Sequence, residues 1–450
     1  MTSFSNRLIG ELRVGDAAST QRTIHAGDRR AWATAFGDAA SGSGADAAIG
    51  IASSLLAALV GAKLPGPGSA VRKVSAELAG DLPVDVPLTV ALTVKEVHAA
   101  DGTVTLAGRL TAPDGAVVAV ATILAQPASV KTTVEIVDHS LDALLERCRS
   151  LKPMPTGVVH PLNPGSLSGA LEAAAAGLIV PVLYGPEAAI RKLAETAGID
   201  LGATRIVDTK DEADSAAQAA AAAGAGELRG LMKGSLHTDI LLHAVLAKES
   251  GLRAGRLLSH CAAISTPSYG RRIFLTDVAL NIAPDLDQKR DIVQNAIGFA
   301  KALGIETPKV GVLAAVEVVH SRMTATTDAA ALAKMADRGQ IVGGLVDGPF
   351  DLDAAVDAAA ARTKHIVSPV AGVADVLVAP NIEAGNMIYK DLVFMADAQS
   401  AGLVVGARVP VMLTSRADAA AARRYSAAAA ALYADALERD PDAIMPTTAD

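Results

Sequence analysis

Residues 374–379 read A-D-V-L-V-A and residues 402–407 read G-L-V-V-G-A. Short apolar runs of this length predict strands buried on both faces of a sheet. Between them, residues 383–401 carry apolar and polar positions at helical spacing, so strand, turn, helix and strand form one βαβ unit. In such sheets ligands bind beyond the carboxyl ends of the strands. The residues there are Pro380-Asn381-Ile382-Glu383-Ala384-Gly385-Asn386 and Thr414-Ser415-Arg416.

The same alternation starts near residue 157. Apolar runs predict strands at 158–160, 178–184, 204–207, 227–233, 256–264, 309–316 and 341–346. Helices are expected at 169–176, 186–198, 240–248 and 286–303, and an Ala-rich helix runs to about residue 438. This is the pattern of a doubly wound α/β sheet. Residues 271–276 follow a strand with no helix between, which predicts a hairpin edge. The long helix at 286–303 is expected to divide two lobes, about 157–285 plus 408–450 and about 286–407. The cleft between lobes is the default place for a small-molecule site.

The first third is patterned differently. Helices are expected at 31–36 and 49–61, and Lys63-Leu64-Pro65-Gly66-Pro67-Gly68-Ser69 stops the second. Strands follow at 70–78, 88–98, 103–111 and 117–125, with Asp101-Gly102 and Asp114-Gly115 as tight hairpin turns. A helix against an antiparallel meander is an α+β domain, here residues 1–133. Residues 134–156, with a helix at 141–150 and then Pro153 and Pro155, are expected to link it to the α/β domain at 157–450.

Composition narrows the choice of partner. The 450 residues suit two or three domains, and a net charge of -8 argues against a nucleic-acid partner, which favours a basic surface, while leaving anionic small ligands to local Lys and Arg. The two cysteines, Cys148 and Cys261, lack metal-ligand spacing. Residues 1–10 lack the apolar core of a signal peptide, and the apolar stretch at 173–184 is too short for a bilayer. A soluble, cytoplasmic chain without membrane contact is expected.

Several turns could hold an anion. Gly234-Ser235-Leu236-His237-Thr238-Asp239 joins a strand to a helix. Lys233, His237 and free backbone N–H groups there suit a phosphate, or Thr238 simply caps the helix. Asp277 and Asn281 follow another strand, and Asp347-Gly348-Pro349 a third, each readable as turn chemistry or as ligand contact. Ser415 and Asp418 are good N-caps for the last helix. Arg416 beside them opposes the helix dipole unless an anion lies between.

Taken in order, G-S-L-H-T-D, F-L-T-D-V-A-L-N-I-A-P, D-G-P-F-D-L-D, S-P-V-A-G-V-A-D-V-L-V-A-P-N-I-E-A-G-N-M-I-Y-K and V-P-V-M-L-T-S-R-A-D resemble the phosphate acetyl/butyryltransferase family. The resemblance covers about 143–437. It implies a two-lobed α/β fold like that of isocitrate and isopropylmalate dehydrogenases, usually dimeric, with the site in the interlobe cleft. It implies reversible transfer of a short acyl group between CoA and inorganic phosphate, through acyl phosphate, with no metal and no tightly bound cofactor.

By the same resemblance Ser415 supplies an oxyanion donor and Arg416 holds phosphate. Lys233, His237, Thr238, Asn281, Asp347 and Asn386 are candidates for the phosphate and CoA pocket. Acetyl-transferring members place an aspartate two turns into the last helix. Here residues 419–422 are alanines, so either Asp418 is the base or the CoA thiol ionises with little help. The alternatives are a decarboxylating dehydrogenase, for which no aspartate cluster is present, and a non-catalytic acyl-CoA-binding protein.

Leu64-Pro65-Gly66-Pro67-Gly68-Ser69 and the segment from Asp81 to Val90 resemble the MaoC-like enoyl-CoA hydratases of the hotdog fold. Their G-D-x-N-P-x-H motif falls on residues 37–46, which keep Asp38 but have neither the Asn nor the His; His25 and His98 lie outside it. The resemblance implies a degenerate hotdog serving dimerisation or acyl-CoA binding, with a bifunctional hydratase as the alternative. If Arg416 holds phosphate, Arg416→Ala should lower turnover about 100-fold or more. A near-unchanged kcat would remove that role.

Overall fold

The computed structural model describes residues 2–24, 28–29, 32, 45–136, 141–266, 269–413 and 420–446. The chain forms two compact units, Met1–Asp138 and His139–Asp450. His25, Asp38 and most of the helix expected at 31–36 lie outside the described residues, as do Ser415, Arg416 and Asp418.

In the first unit, β1 (Thr2–Ser5) pairs with β7 (Thr133–Ile136) in a two-stranded ribbon. The other strands are β2 (Ala17–Thr23), β3 (Ala70–Leu78), β4 (Pro87–His98), β5 (Thr103–Thr111) and β6 (Val117–Gln126). They form an antiparallel sheet in the order β2-β4-β5-β6-β3 against the helix α1 (Ala45–Ala62). Alternation decides which face is covered. Leu88, Val90, Leu92 and Val94 of β4 are buried with Leu106 and Leu110 of β5 and Leu56 of α1. Gly108 sits under Leu56, where an added Cβ would lie 3.0 Å from Leu56 Cδ2. The two expected hairpins form at Gly102 (φ 64°) and Gly115 (φ 88°), a left-handed backbone that glycine adopts without strain.

The second unit opens with α2 (Asp142–Cys148), β8 (Met154–Val159), α3 (Pro164–Ala175), β9 (Ile179–Gly185), α4 (Glu187–Ala197), β10 (Arg205–Asp208) and α5 (Glu212–Gly224). Next come β11 (Gly230–Lys233), α6 (Thr238–Leu246), β12 (Ser259–Ser265), β13 (Arg272–Thr276) and α7 (Leu286–Ala302). After them come β14 (Lys309–Leu313), α8 (Thr324–Asp337), β15 (Leu345–Phe350), α9 (Leu352–Val356) and α10 (Ala358–Thr363). The chain ends with β16 (Val376–Val378), α11 (Ile382–Met395), β17 (Gln399–Val405), β18 (Val411–Met412), α12 (Ala420–Arg439) and α13 (Pro441–Ile444).

All these strands join one 11-stranded sheet, ordered β10-β9-β8-β11-β18-β17-β12-β13-β16-β14-β15. It is mixed, since β12 runs antiparallel to β13 and to β17, and β17 to β18. The expected βαβ unit is β16-α11-β17. Its strands run the same way but are separated by β12 and β13.

Sequence order had suggested a lobe ending near residue 285, yet β12 and β13 hydrogen-bond to β17 and β16 in the other half. Helix α7 does not interrupt the sheet; it packs on β12, β13, β16 and β17. Residues 134–156, expected as a linker, divide between the units: β7 closes the ribbon of the first, whereas α2 packs on α12 and β8 enters the sheet of the second.

Smaller shifts have local causes. Helix α3 starts at Pro164 because the Asn163 side chain accepts the Ser166 N–H at 2.8 Å and Pro suits the first turn. Helix α11 stops at Met395, before Asp397 with φ 51°. The strand expected at 341–346 is instead β15, displaced past Gly343 at φ 84°.

Neighbouring side chains on a strand feed opposite faces. Cys261 and Ala263 of β12 join one core while Ala262 and Ile264 join another. One face carries a single core that runs the width of the sheet under α7 and α12. The opposite face carries two separate cores, one under α5 and α6, the other beside α11. In the continuous core Phe299 meets Phe274 and Tyr433 edge-on, with centroids 5.5 and 6.1 Å apart. Phe299→Ala is therefore expected to cost about 3–5 kcal/mol of unfolding free energy. Denaturant melts of the full chain check this; a loss under about 1 kcal/mol would mean that the core collapses around the deletion.

Candidate active site

Between the two cores of the divided face lies a cavity of about 660 Å³. Helix α6 walls one side through Thr238, Leu242 and Leu246, and α11 the other through Asn386, Tyr389 and Lys390. The ends of β11 and β18 contribute Lys233 and Leu413, the loop after β13 contributes Val278 to Asn281, and His260 of β12 adds a buried imidazole.

On the α6 side, the loop after β11 is stitched to the loop after β8. Gly234 N donates to Val159 O at 2.8 Å and Ser235 N to His160 O at 2.9 Å. The Ser235 hydroxyl donates to His160 O at 2.8 Å and accepts from Leu162 N at 3.1 Å. No side chain fits at Gly234, where a Cβ would stand 2.3 Å from Val159 O. The turn therefore delivers Lys233 and Thr238 to the cavity from a braced backbone.

On the other side, Asp277 organises its loop. Its buried carboxylate accepts N–H groups of Ala279, Leu280 and Asn281 at 2.9, 3.0 and 3.3 Å. The Asn281 amide also donates to it and to Leu258 O at 2.9 Å. Asn386 of α11 donates to Val278 O at 3.0 Å, and the Tyr389 hydroxyl meets Ser400 Oγ at 3.0 Å. Gly385 allows this docking, since a Cβ there would lie 2.1 Å from Asp277 O. Lys390 is held with its ammonium 5.7 Å from the Tyr389 ring and 5.4 Å from Phe394, at cation–π range.

Four of the six expected pocket residues thus meet: Lys233, Thr238, Asn281 and Asn386. Asn281 and Asn386 spend amide donors on backbone carbonyls and a carboxylate, so they act as braces of the wall. His237 occupies the N-cap position of α6 and is exposed, outside the cavity lining. Asp347 is not brought to the cavity either. It lies on β15 at the sheet edge, where Oδ1 accepts Gly348 N–H at 2.8 Å, which is the turn chemistry of Asp-Gly-Pro.

His260, Tyr389 and Lys390 went unnoticed in the sequence. His260 is one polar residue in the apolar run of β12. Tyr389 and Lys390 carried a usable signal, being three and four positions after Asn386 and so on its helix face.

Burial pushes the Cys148 thiol up to about 11, and Cys261 is raised as well, so neither is a poised nucleophile. Among the described residues no group of His, Cys, Asp and Glu is arranged to hold a metal ion. Among them, too, no helix is long and apolar enough to cross a membrane.

Residues 209–431 match the family model "Phosphate acetyl/butaryl transferase". The chain is 52% identical over 295 residues to a phosphate acetyltransferase of Rhizobium meliloti, covering 65% of this chain and 93% of that protein. It is 40% identical over 295 residues to a phosphate butyryltransferase of Clostridium acetobutylicum, covering 66% and 98%. Among solved structures, a branched-chain phosphotransacylase from Enterococcus faecalis aligns with a TM-score of 0.55 at 29% identity, over 62% of this chain and 99% of that one.

The contact of Gly385 with Asp277 is the geometric hinge of the site. In Gly385→Ala, α11 must move off the 277–281 loop and carry Asn386, Tyr389 and Lys390 with it. Since Ala is the better helix former by about 1 kcal/mol, the helix itself should persist. Catalytic efficiency is expected to fall about 100-fold. Unchanged kinetics in a variant of normal melting temperature would show that the docking does not set the site.

Proposed function

The chain belongs to the phosphate acetyl/butaryl transferase family, and we propose that its second unit transfers a short acyl group reversibly between CoA and inorganic phosphate. The observation that carries this reading is 52% identity to a phosphate acetyltransferase over 93% of that protein. The cavity fits the chemistry. It places Lys233 and Lys390 beside an apolar wall of leucines, a setting for an anionic group next to a thioester.

In the proposed reaction both substrates are bound together. The CoA thiolate attacks the carbonyl carbon of the acyl phosphate, a C–S bond forms, and the C–O bond to phosphate breaks as inorganic phosphate leaves. Holding both reactants removes much of the entropic barrier. Ser415 would donate to the oxyanion of the tetrahedral intermediate, and Arg416 would hold the phosphate through paired N–H groups. Residues 414–419 connect Leu413, at the cavity wall, to Ala420, the first residue of α12, which favours this assignment. Asp418 is the nearest candidate to take the thiol proton. Lys233 and Thr238 belong to the phosphate and CoA pocket, and His237 stands beside it at the start of α6.

For the second unit we favour the two-lobed description of the isocitrate dehydrogenase type, because its sheet carries two cores on one face with the cavity between them. For the first unit we favour a hotdog, because its antiparallel sheet is packed around one long helix, and a non-catalytic one, because residues 37–46 keep Asp38 but have neither the Asn nor the His of the hydratase motif. A homodimer or larger homo-oligomer is in keeping with α11, whose Met387, Phe394 and Met395 are exposed.

Acetyl-, propionyl- and butyryl-CoA offered to the full chain with phosphate or arsenate should each be tested for release of free thiol. Phosphate-dependent release with at least one of them is expected. No release with any of the three would leave the acyl-CoA-binding alternative.

A further inference from the structure

Helix α11 lines more than the cavity. Asn386, Tyr389 and Lys390 face the cavity, whereas Ile388, Asp391 and Leu392, at i, i+3 and i+4, line a second pocket of about 210 Å³. Ile273 of β13 and Leu377 of β16, on neighbouring strands, line it from the sheet, and Leu352 and Val356 of α9 from the side. The two spaces share no lining residue. At ~30 Å³ per molecule the volume matches roughly seven waters, which limits the occupant to a small molecule.

Most of the lining is apolar, and Thr266, Tyr269, Arg271 and Asp391 complete it. Arg271 is held from behind. Its Nη2 donates to Asp375 Oδ1 at 2.8 Å and to Val373 O at 3.2 Å, and Asp375 also accepts Lys309 N–H at 2.9 Å. Neither Asp375 nor Val373 lines the pocket, and a guanidinium has further N–H donors to offer. The Tyr269 hydroxyl donates to Val356 O at 3.0 Å, which fixes the ring at the pocket wall. Asp391 is exposed, and no hydrogen bond or ion pair engages its carboxylate among the described residues. The pocket thus combines one anchored cation, one unengaged anion and an aliphatic interior.

We propose that this pocket binds a small aliphatic α-amino acid, with its carboxylate on Arg271, its ammonium on Asp391 and its side chain among Ile273, Leu377, Ile388 and Leu392. The pair of opposite charges selects a zwitterion. A fatty acid of the same size brings a second anion toward Asp391, and an alkylamine leaves the Arg271 donors unanswered. Guanidinium–carboxylate and ammonium–carboxylate contacts are the strong class of hydrogen bond.

Occupancy reaches the cavity through α11. An amino acid between Arg271, just before β13, and Asp391 ties the carboxyl-terminal half of the helix to the sheet, while the contact of Gly385 with Asp277 ties the other half. Tyr389 and Lys390 lie between the two ties, so the ligand shifts the KM of the substrate bound there. That consequence rests on the acyltransferase reading; the binding itself does not.

The test is calorimetric titration of the full chain with leucine, valine, isocaproate (leucine without its amino group) and isoamylamine (leucine without its carboxylate). Leucine or valine should bind, and each of the two truncated compounds should bind about tenfold more weakly or worse. Asp391→Asn should weaken amino-acid binding about tenfold while leaving isocaproate unaffected. Asp391 is exposed, so its replacement does not disturb the core. Ala396→Phe, at a lining position, should fill the pocket and abolish binding.

Equal affinity for leucine and isocaproate overturns the proposal. So does equal affinity of wild type and Asp391→Asn, or the absence of leucine and valine binding at millimolar concentration. Saturating amino acid should change the acyl-CoA KM about fivefold or more; an unchanged KM in a chain that binds it overturns the link through α11. A chain that binds leucine but transfers no acyl group counts against the acyltransferase reading and supports the binding site.

Discussion

Both faces of the 11-stranded sheet carry apolar side chains, so both have to be covered. The two faces meet this demand differently. One is closed by a single core under α7 and α12, which makes the sheet one body. The other is closed by two cores that do not join, and the gap between them is the cavity. The site is therefore a consequence of how the sheet is covered. Its floor is as rigid as the continuous core behind it, where Phe299 locks against Phe274 and Tyr433.

The walls of the gap are held by backbone contacts more than by side-chain pairs. Gly234 against Val159 O and Gly385 against Asp277 O bring main chains closer than any Cβ would permit. Asp277, with three backbone N–H groups on its carboxylate, turns a loop of four residues into a fixed edge. A cavity framed in this way presents Lys233, Thr238 and Lys390 at defined positions before any ligand arrives, which lowers the ordering cost of binding. Along α6 its wall runs from Thr238 through Leu242 to Leu246, which together with Leu257 also lines an arginine-rich groove.

Much of this was legible along the chain. The meander and its turns in the first unit follow from period-two alternation and Asp-Gly pairs. The alternating strands and helices of the second unit follow from short apolar runs and their caps. Five ordered motifs pointed to the family to which the chain belongs. Individual roles were less legible. Asn281 and Asn386 read as ligand contacts, but their amides brace the loop after β13. Asp347 read as a ligand carboxylate and closes its own turn at the sheet edge. A polar residue after a strand serves either purpose, and only its partners distinguish them.

Local sequence determines which segments become strands, helices and turns, because caps, glycines and apolar periodicity act over a few residues. It also determined the family, because motif order survives in one dimension. Strand order is not local. β12 lies between β17 and β13, and β16 next to β14, because cores far apart in sequence have to be buried together. Only that tertiary arrangement brought Lys233, His260, Asn281, Tyr389 and Lys390 around one cavity.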